Sequence, residues 1–236
     1  MQSIGIIGGG AWGTALGLVA LRAGREPLLW AREPEVVASI SDKHENTLFL
    51  PGTPLDPRLA ATGELAEAAR RDLLLLAAPA QHLRAIAGAL APHLKPGTPV
   101  VICAKGIEEH TGALLSEVVA QALPRAAVAL LSGPTFATEV ATGHPTAITL
   151  AASDAALGQR LVQALGSRAF RPYYTDDVVG AQIGGAIKNV IAIACGIVVG
   201  RKLGDNACAA LITRGLAEMA RLALAKGGRA ETLMGL

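Results

Sequence analysis

A glycine cluster directly after the first apolar segment limits the folds open to this chain. Residues 3–7 form a short apolar run that predicts a buried strand, and Gly8, Gly10 and Gly13 follow it as Gly-X-Gly-X-X-Gly. Gly8 permits a tight turn, Gly10 lets the backbone approach a pyrophosphate, and Gly13 allows close packing of a helix on the strand. The start of that helix offers free N–H groups to phosphates. The pattern predicts a dinucleotide-binding turn, with an unliganded strand–helix turn as the alternative.

Predicted strands and helices alternate along the chain up to about residue 178. Strands are predicted at residues 3–7, 27–30, 73–77, 99–103, 126–131, 146–151 and 170–174, and a loop at residues 48–57. The alternation predicts parallel pairing through helical crossovers, and the continuous apolar strands indicate a sheet covered on both faces. We therefore expect an α/β fold, a Rossmann doubly wound and mostly parallel sheet. Two long helical stretches follow, so we divide the chain into residues 1–178, which bind NAD(P), and a helical part at residues 179–236.

Composition excludes several other classes of protein. A net charge of +2, without a run of Lys or Arg, argues against nucleic-acid binding. The three cysteines form no CXXC pair, and the histidines, His82 among them, lack metal-ligand spacing, so we expect no disulfide framework and no metal. Residues 180–200 are apolar and long enough to cross a bilayer. Lys188 near their middle and several glycines favour a buried helix of a soluble protein over membrane insertion.

The end of the second predicted strand carries charges that bear on the cofactor. An acidic residue there binds the ribose hydroxyls of NAD, whereas a basic residue accommodates the 2′-phosphate of NADP. Arg32 is the better placed residue, which favours NADP, and Glu33 keeps NAD compatible. The alternative is that Arg32 is only a solvated charge.

Lysines at two further places are candidates for binding or catalysis. Lys188 lies in an apolar helix, where burial would lower its pKa and prepare it for proton transfer. A lysine that reaches solvent from the helix edge, or that pairs with a carboxylate, is an equal alternative. Lys105 follows one predicted strand and residues 132–137, Ser-Gly-Pro-Thr-Phe-Ala, follow the next. Both lie where doubly wound sheets bind ligands, although each could be an ordinary loop.

Taken together, these segments resemble the bacterial NAD(P)-dependent glycerol-3-phosphate dehydrogenases. The matching segments are residues 8–16, 29–32, 49–52, 104–108, 132–137, 186–193 and 210–219. The resemblance implies reversible reduction of dihydroxyacetone phosphate to sn-glycerol 3-phosphate with NAD or NADP, in a cytoplasmic homodimer whose product feeds phospholipid synthesis. It also implies that the family's glycine-rich turn with an Asp, and its Arg-Asn pair that binds the substrate phosphate, lie beyond residue 236, so we expect a partial substrate domain and doubtful activity of this chain alone.

The resemblance also assigns roles to residues. Lys188 matches the catalytic lysine, which would protonate the carbonyl oxygen and take the proton back in reverse. Lys105, Gly133 and Thr135 match substrate-binding positions. Cofactor-contacting positions are matched by Ala11, Trp12, Arg32, Lys105 and Ala137. Two alternatives remain: a related hydroxyacid or ketoacid dehydrogenase, and a non-catalytic dinucleotide-binding module.

Overall fold

The computed structural model of the chain describes residues 1–234. The strands are β1 (Ser3–Ile7), β2 (Glu26–Trp30), β3 (Glu45–Asn46), β4 (Leu50–Pro54), β5 (Ala60–Thr62), β6 (Leu73–Leu76), β7 (Pro99–Ile102), β8 (Ala127–Ser132), β9 (Thr146–Ala151) and β10 (Phe170–Thr175). The helices are α1 (Ala11–Arg22), α2 (Pro34–Lys43), α3 (Leu65–Ala69), α4 (Leu83–Leu90), α5 (Leu115–Ala122), α6 (Ala137–Thr142), α7 (Ala155–Leu165), α8 (Val178–Gly200), α9 (Asp205–Ala225) and α10 (Ala230–Met234).

Eight strands form one sheet in the order β10-β9-β8-β7-β6-β1-β2-β5. The chain starts in the interior of the sheet at β1, builds outward through β2, then crosses back to β6 on the other side of β1. The strand order therefore reverses beside β1, and a doubly wound sheet binds its ligand at the carboxyl ends of the strands at this point. The fold is the mostly parallel Rossmann sheet that the alternation predicts.

Strand β9 departs from parallel pairing. It runs antiparallel to β8, with Leu131 opposite Leu150, and β10 then pairs in parallel with β9. The connecting helix α6 has 6 residues, which advance the chain by about 9 Å. A strand of the length of β8 spans about 20 Å, so α6 is too short to return the chain along it. The antiparallel pairing of β8 with β9 is therefore an exception within the mostly parallel sheet that the sequence predicts.

The sequence suggested a loop throughout residues 48–57, but part of this segment is a strand. Leu50–Pro54 form β4, which pairs with β3 in a small antiparallel ribbon apart from the main sheet. Pro51 and Pro54 are tolerated because a two-stranded ribbon leaves one side of each strand unpaired, where a missing N–H is not needed. Strand β5 at the sheet edge was not predicted, since three residues are too few to show a periodicity.

Two apolar layers cover the two faces of the sheet. One layer packs α1, α2, α6 and α7 against the strands, and the other packs α3, α4, α5 and the first turn of α8. The strand β6, whose four leucines are all fully buried, contributes to both layers. This arrangement explains the continuous apolar strands of the sequence, since strands covered on both faces have no polar side. The predicted division at residue 178 falls at the start of α8 and stays a prediction.

Helix α8 is not the buried helix that its composition predicts. Its first turns are buried from Gly180 to Gly185, where the helix packs on β8 and β9. Further along, Val190, Ile193 and Ile197 are 62%, 67% and 57% exposed. One side of this part of α8 contacts α9, and the other side has no partner within residues 1–234. Within those residues α8 is the one helix long and apolar enough to cross a membrane, and 17% of its most apolar window is buried.

Candidate active site

The glycine turn after β1 has the geometry that its spacing predicts. Gly8 has φ +130°, and a Cβ there would lie 2.8 Å from the backbone nitrogen of Ala78. A Cβ at Gly13 would lie 1.9 Å from the carbonyl oxygen of Gly8, so only glycine lets α1 approach the turn this closely. A Cβ at Gly10 would meet no protein atom within 4 Å. Gly10 therefore faces open space, and α1 begins at Ala11 with no side chain capping its free N–H groups.

A buried asparagine supports this turn from below. Asn46 is fully buried, and its Nδ2 donates hydrogen bonds to the carbonyl oxygen of Gly9 and to Oγ1 of Thr14, both at 2.8 Å. Thr14 in turn donates to the carbonyl oxygen of Gly10 at 3.0 Å. The ribbon that carries Asn46 thus fixes the backbone of the turn. Sequence reasoning assigned Asn46 no part in the site, since nothing local links residue 46 to residues 9–14.

The turn forms one wall of a cavity of about 560 Å³. The cavity is lined by Gly8, Gly9, Gly10, Ala11, Trp12, Trp30, Arg32, Glu33, Phe49, Ala77, Ala78, Pro79, His82, Ala85 and Ile86. These residues come from the carboxyl ends of β1, β2 and β6, from the start of α1, from α4 and the turn before it, and from the loop before β4. The apolar residues from α4, together with Phe49 and His82, were missed. The signal for His82 and α4 was position only, because they follow β6, which is the neighbour of β1 in the sheet, and Phe49 lies in the loop before β4.

Opposite charges meet at the mouth of this cavity. The guanidinium of Arg32 donates two hydrogen bonds to Oε1 of Glu33, at 2.9 and 3.2 Å. The side chain of Arg32 is 76% exposed and that of Glu33 is 27% exposed. An ion pair this exposed contributes little to stability, so Arg32 can exchange Glu33 for a phosphate at small cost.

Lys188 lies on α8 beside the loop that follows β8. Its Nζ donates a hydrogen bond to the carbonyl oxygen of Gly133 at 2.5 Å. Burial, and secondarily the positive charge of Lys105, lower the pKa of Lys188 to about 8. A lysine with a pKa near neutrality exchanges its proton readily, which suits acid–base chemistry. Among residues 1–234 no ion pair joins Lys188 to a carboxylate, and the side chain of Lys188 is half-buried, so the alternative of a lysine at the helix edge stays open.

Lys105 follows β7, and its ammonium lies over the ring of Trp12, 5.5 Å from the ring centre. Burial lowers the pKa of Lys105. Trp12 belongs to the glycine turn, so the contact joins the dinucleotide cavity to the two lysines. The two cations lie close together, and neither has a carboxylate partner among the described residues 1–234, an arrangement that favours an anionic ligand.

Glycine at position 185 lets α8 approach β8. A Cβ there would lie 2.5 Å from Oγ of Ser132 and 3.7 Å from Cγ of Lys105. Lys188 is one turn further along the same helix face. Among residues 1–234, Ser132 Oγ, Thr135 Oγ1 and Trp12 Nε1 are buried side-chain atoms with no hydrogen-bond partner. Such atoms are costly unless something binds them, and all three belong to segments that meet at the lysines.

Asp177 fixes the start of α8. Its Oδ1 accepts a hydrogen bond from the Gly180 N–H at 2.8 Å. Its Oδ2 accepts from the Arg229 N–H at 2.8 Å and from the Thr232 hydroxyl at 2.6 Å. Burial alone would raise the pKa of Asp177, but these hydrogen bonds outweigh it and lower the pKa. The carboxylate thereby joins the first turn of α8 to α10.

Most of the residues predicted for the site fall into two adjacent groups. Gly8, Gly10, Ala11, Trp12 and Arg32 line the cavity. Gly133 and Lys188 are hydrogen-bonded, with Lys105 close to Lys188 and Thr135 in the same loop as Gly133. Gly13 packs beneath the turn, and Ala137, at the first position of α6, packs against the core rather than lining the cavity. No cluster of three or more His, Cys, Asp or Glu suited to a metal occurs in residues 1–234.

Two family models match this chain in succession. The model described as the N-terminus of NAD-dependent glycerol-3-phosphate dehydrogenase matches residues 3–158, and the model of the C-terminus matches residues 177–236. The chain belongs to the NAD-dependent glycerol-3-phosphate dehydrogenase family. The resemblance drawn from the sequence motifs is thereby confirmed.

Curated members of the dehydrogenase family cover the whole chain. The glycerol-3-phosphate dehydrogenase [NAD(P)+] of Paramagnetospirillum magneticum is 66% identical over 236 residues, which are 100% of this chain and 86% of that protein. The protein of the same name from Parvibaculum lavamentivorans is 58% identical, and the match covers 100% of this chain and 71% of that protein.

A crystal structure of a member of this dehydrogenase family has the same fold. The glycerol-3-phosphate dehydrogenase of Coxiella burnetii superposes with a TM-score of 0.94 at 39% identity, covering 100% of this chain and 72% of that one. A ketopantoate reductase from Ralstonia eutropha, at 20% identity and a TM-score of 0.62, shares the fold alone.

Proposed function

We propose that this chain catalyses the reversible reduction of dihydroxyacetone phosphate to sn-glycerol 3-phosphate with NADPH or NADH. The observation that carries the proposal is the contact between Lys188 and the loop after β8, next to a dinucleotide cavity built by the glycine turn. Family membership supports the reaction, and this geometry supports the roles that we propose for the residues. The product is a precursor of glycerophospholipids.

The residues of the cavity fit a dinucleotide. Open space above Gly10 and the free N–H groups at the start of α1 suit a pyrophosphate. The cavity of about 560 Å³ is flanked by the rings of Trp30 and Phe49. Arg32 would bind the 2′-phosphate of NADP, and Glu33 the ribose hydroxyls of NAD. When bound, the cofactor supplies or accepts the hydride.

Lys188 would act as the acid and base of the reaction. In the reducing direction its ammonium protonates the carbonyl oxygen of the substrate, and in the oxidising direction its neutral amine takes the hydroxyl proton. The hydrogen bond to Gly133 holds Nζ in place during both steps. A pKa of about 8 leaves both protonation states accessible near neutral pH.

Substrate binding would use the neighbouring groups. Lys105 offers its positive charge to the phosphorylated triose, and the Gly133 backbone and the Thr135 hydroxyl offer polar contacts. Ala137 is half-buried at the start of α6, next to this loop, and would contact a part of the cofactor that extends beyond the cavity. We further propose that residues 179–236 contribute to the substrate-binding domain and that the enzyme is a cytoplasmic homodimer that binds no nucleic acid and does not insert into membranes.

Oxidation of NADPH with dihydroxyacetone phosphate tests the proposal directly. We expect the absorbance of NADPH to fall when this substrate is present, and to fall faster than it does with simple 2- and 3-ketoacids. Faster oxidation with a ketoacid would favour the related hydroxyacid dehydrogenases. Binding of NADPH without oxidation by any substrate would show instead that this chain is a dinucleotide-binding module.

A further inference from the structure

Helices α8 and α9 form an antiparallel hairpin joined by residues 201–204. Each helix turns one stripe of half-buried or buried residues toward the other. The stripes contain Ile187, Ile191, Ala194, Cys195 and Val198 on α8, and Cys208, Leu211, Gly215 and Met219 on α9. Spacings of three and four residues place each set on one helix face. Both cysteines therefore belong to the surfaces along which the two helices meet.

The helices approach closely along these stripes. A Cβ at Gly215 would lie 2.8 Å from Cδ1 of Ile191. From this contact, Cys195 lies one turn toward the hairpin loop and Cys208 lies two turns toward the same loop. Cys195 precedes the end of α8 at Gly200 by five residues, and Cys208 follows the start of α9 at Asp205 by three. With a rise of 1.5 Å per residue, these two counts place the depths of the cysteines along the hairpin about 3–5 Å apart.

The two thiols are neighbours across the hairpin. Burial, and then the neighbouring thiol of Cys208, raise the pKa of Cys195. Both thiols are free and partly accessible, whereas Cys103 lies at the end of β7 and is 1% exposed. Burial raises the pKa of Cys103 to about 12, which keeps it unreactive. The chain thus contains one thiol pair and one inert thiol that serves as an internal control.

We propose that Cys195 and Cys208 are an oxidisable pair that closes a disulfide across the α8–α9 hairpin. With hydrogen peroxide as the oxidant, the two thiols lose two hydrogen atoms, one S–S bond forms, the O–O bond breaks, and two waters are released. With glutathione disulfide, thiol–disulfide exchange gives the same bond and releases two glutathione thiols. Disulfides require closely spaced backbones, and the contact at Gly215 shows that these helices are close.

The disulfide would tie the helix that carries Lys188 to α9. Cys195 is two turns from Lys188 on the same face of α8. The dinucleotide cavity is built from β1, β2, β6 and α4 and includes no residue of the hairpin. Oxidation is therefore a modification of the lysine-bearing helix that leaves dinucleotide affinity unchanged.

Mass spectrometry of the full chain tests the proposal. The reduced protein, at low micromolar concentration, is treated with hydrogen peroxide or glutathione disulfide at mildly alkaline pH, which increases the thiolate fraction. We expect the intact mass to fall by two hydrogen atoms and trypsin to yield residues 189–201 linked to residues 203–214. Dithiothreitol should reverse both changes, and Cys103 should stay unmodified. Affinity for NADPH, measured by fluorescence, should be equal in both forms.

Two serine variants control the experiment. Cys195→Ser and Cys208→Ser should each abolish the linked peptide, and circular dichroism checks that each variant is folded. The wild-type measurement needs no variant, so a misfolded variant would not affect the result. Two results would overturn the proposal. One is oxygen or glutathione added to each cysteine separately, and the other is a disulfide between two chains in place of one within a chain.

Discussion

Among the single residues, Lys188 is the one that we propose as the acid and base of the reaction. Replacing it with Ala should abolish turnover and leave NADPH affinity within about twofold, because its ammonium contacts the loop of Gly133 and not the dinucleotide cavity. Lys95→Ala, an exposed lysine, is the matched control and should retain full activity. Preserved turnover with weakened NADPH binding in the Lys188 variant would contradict the assignment.

The pKa of Lys188 also predicts the pH dependence. Reduction needs the ammonium, so its rate should fall as pH rises through about 8. Oxidation of glycerol 3-phosphate needs the neutral amine and should rise over the same interval. Initial rates in both directions between pH 6 and 10 measure this, and parallel profiles in the two directions would be inconsistent with acid–base catalysis by Lys188.

Arg32 should determine how well the phosphate of NADPH is bound. A charge-assisted hydrogen bond contributes about 1.5–3 kcal/mol, and the exposure of Arg32 places it near the lower limit. Arg32→Ala should therefore weaken NADPH roughly tenfold and leave NADH nearly unchanged. Glu33→Gln removes the competing carboxylate and should tighten NADPH binding. Equal losses for both cofactors, measured by fluorescence titration, would show that Arg32 only adds general positive charge.

At the scale of elements, the contact of α8 with β8 depends on the space at Gly185. Ala there places Cβ 2.5 Å from Ser132 Oγ, which should cost about 1–3 kcal/mol. The cost should largely disappear in the background of Ser132→Ala, because the colliding oxygen is then absent. Gly196→Ala on the same helix meets nothing within 4 Å and should stabilise the protein. Urea unfolding of the four variants measures the coupling between positions 185 and 132. Additive changes in the free energy of unfolding would rule out the contact.

Asp177 links the first turn of α8 to α10, so its replacement should weaken the hydrogen bonds that hold both helices. Asp177→Asn should lower the free energy of unfolding at pH 7, whereas Asp42→Asn, on the exposed face of α2, should not. The folded state lowers the pKa of Asp177 below its usual 3.8, so its contribution is present above that value and is lost as pH falls through the folded pKa. A deficit that stays constant down to pH 2 would argue that the charge is unimportant.

At the scale of the whole molecule, NADPH should stabilise the fold, because its cavity joins three strands, α1 and α4. Free cofactor at a hundredfold excess over Kd should add about 2.7 kcal/mol to the free energy of unfolding. Gly10→Val should remove this increase without loss of the unliganded fold, since a side chain there meets only open space. Thermal unfolding with and without NADPH measures both. Full stabilisation of the valine variant would place the cofactor elsewhere.

The class of fold, the dinucleotide turn and the candidate lysines could all be predicted from the sequence. These depend on local patterns: glycine spacing after an apolar strand, continuous apolar runs, and a charged residue in an apolar helix. The family resemblance connected them in one reaction. Local patterns do not contain the lengths of connections or the elements that pack beside a segment. For this reason they did not predict the antiparallel pairing of β9, the ribbon of β3 and β4 or the exposure of α8.

The contacts between groups that are distant in the sequence follow from the packing of the folded chain. This packing put Asn46 under the glycine turn, Phe49 and His82 on the cavity wall, and Lys105 over Trp12. It also gave Lys188 its hydrogen bond with Gly133 and its lowered pKa, because desolvation and charge proximity arise only when α8 packs against the sheet. Residue type specifies the chemistry that a side chain can perform, and packing specifies its protonation and its partners.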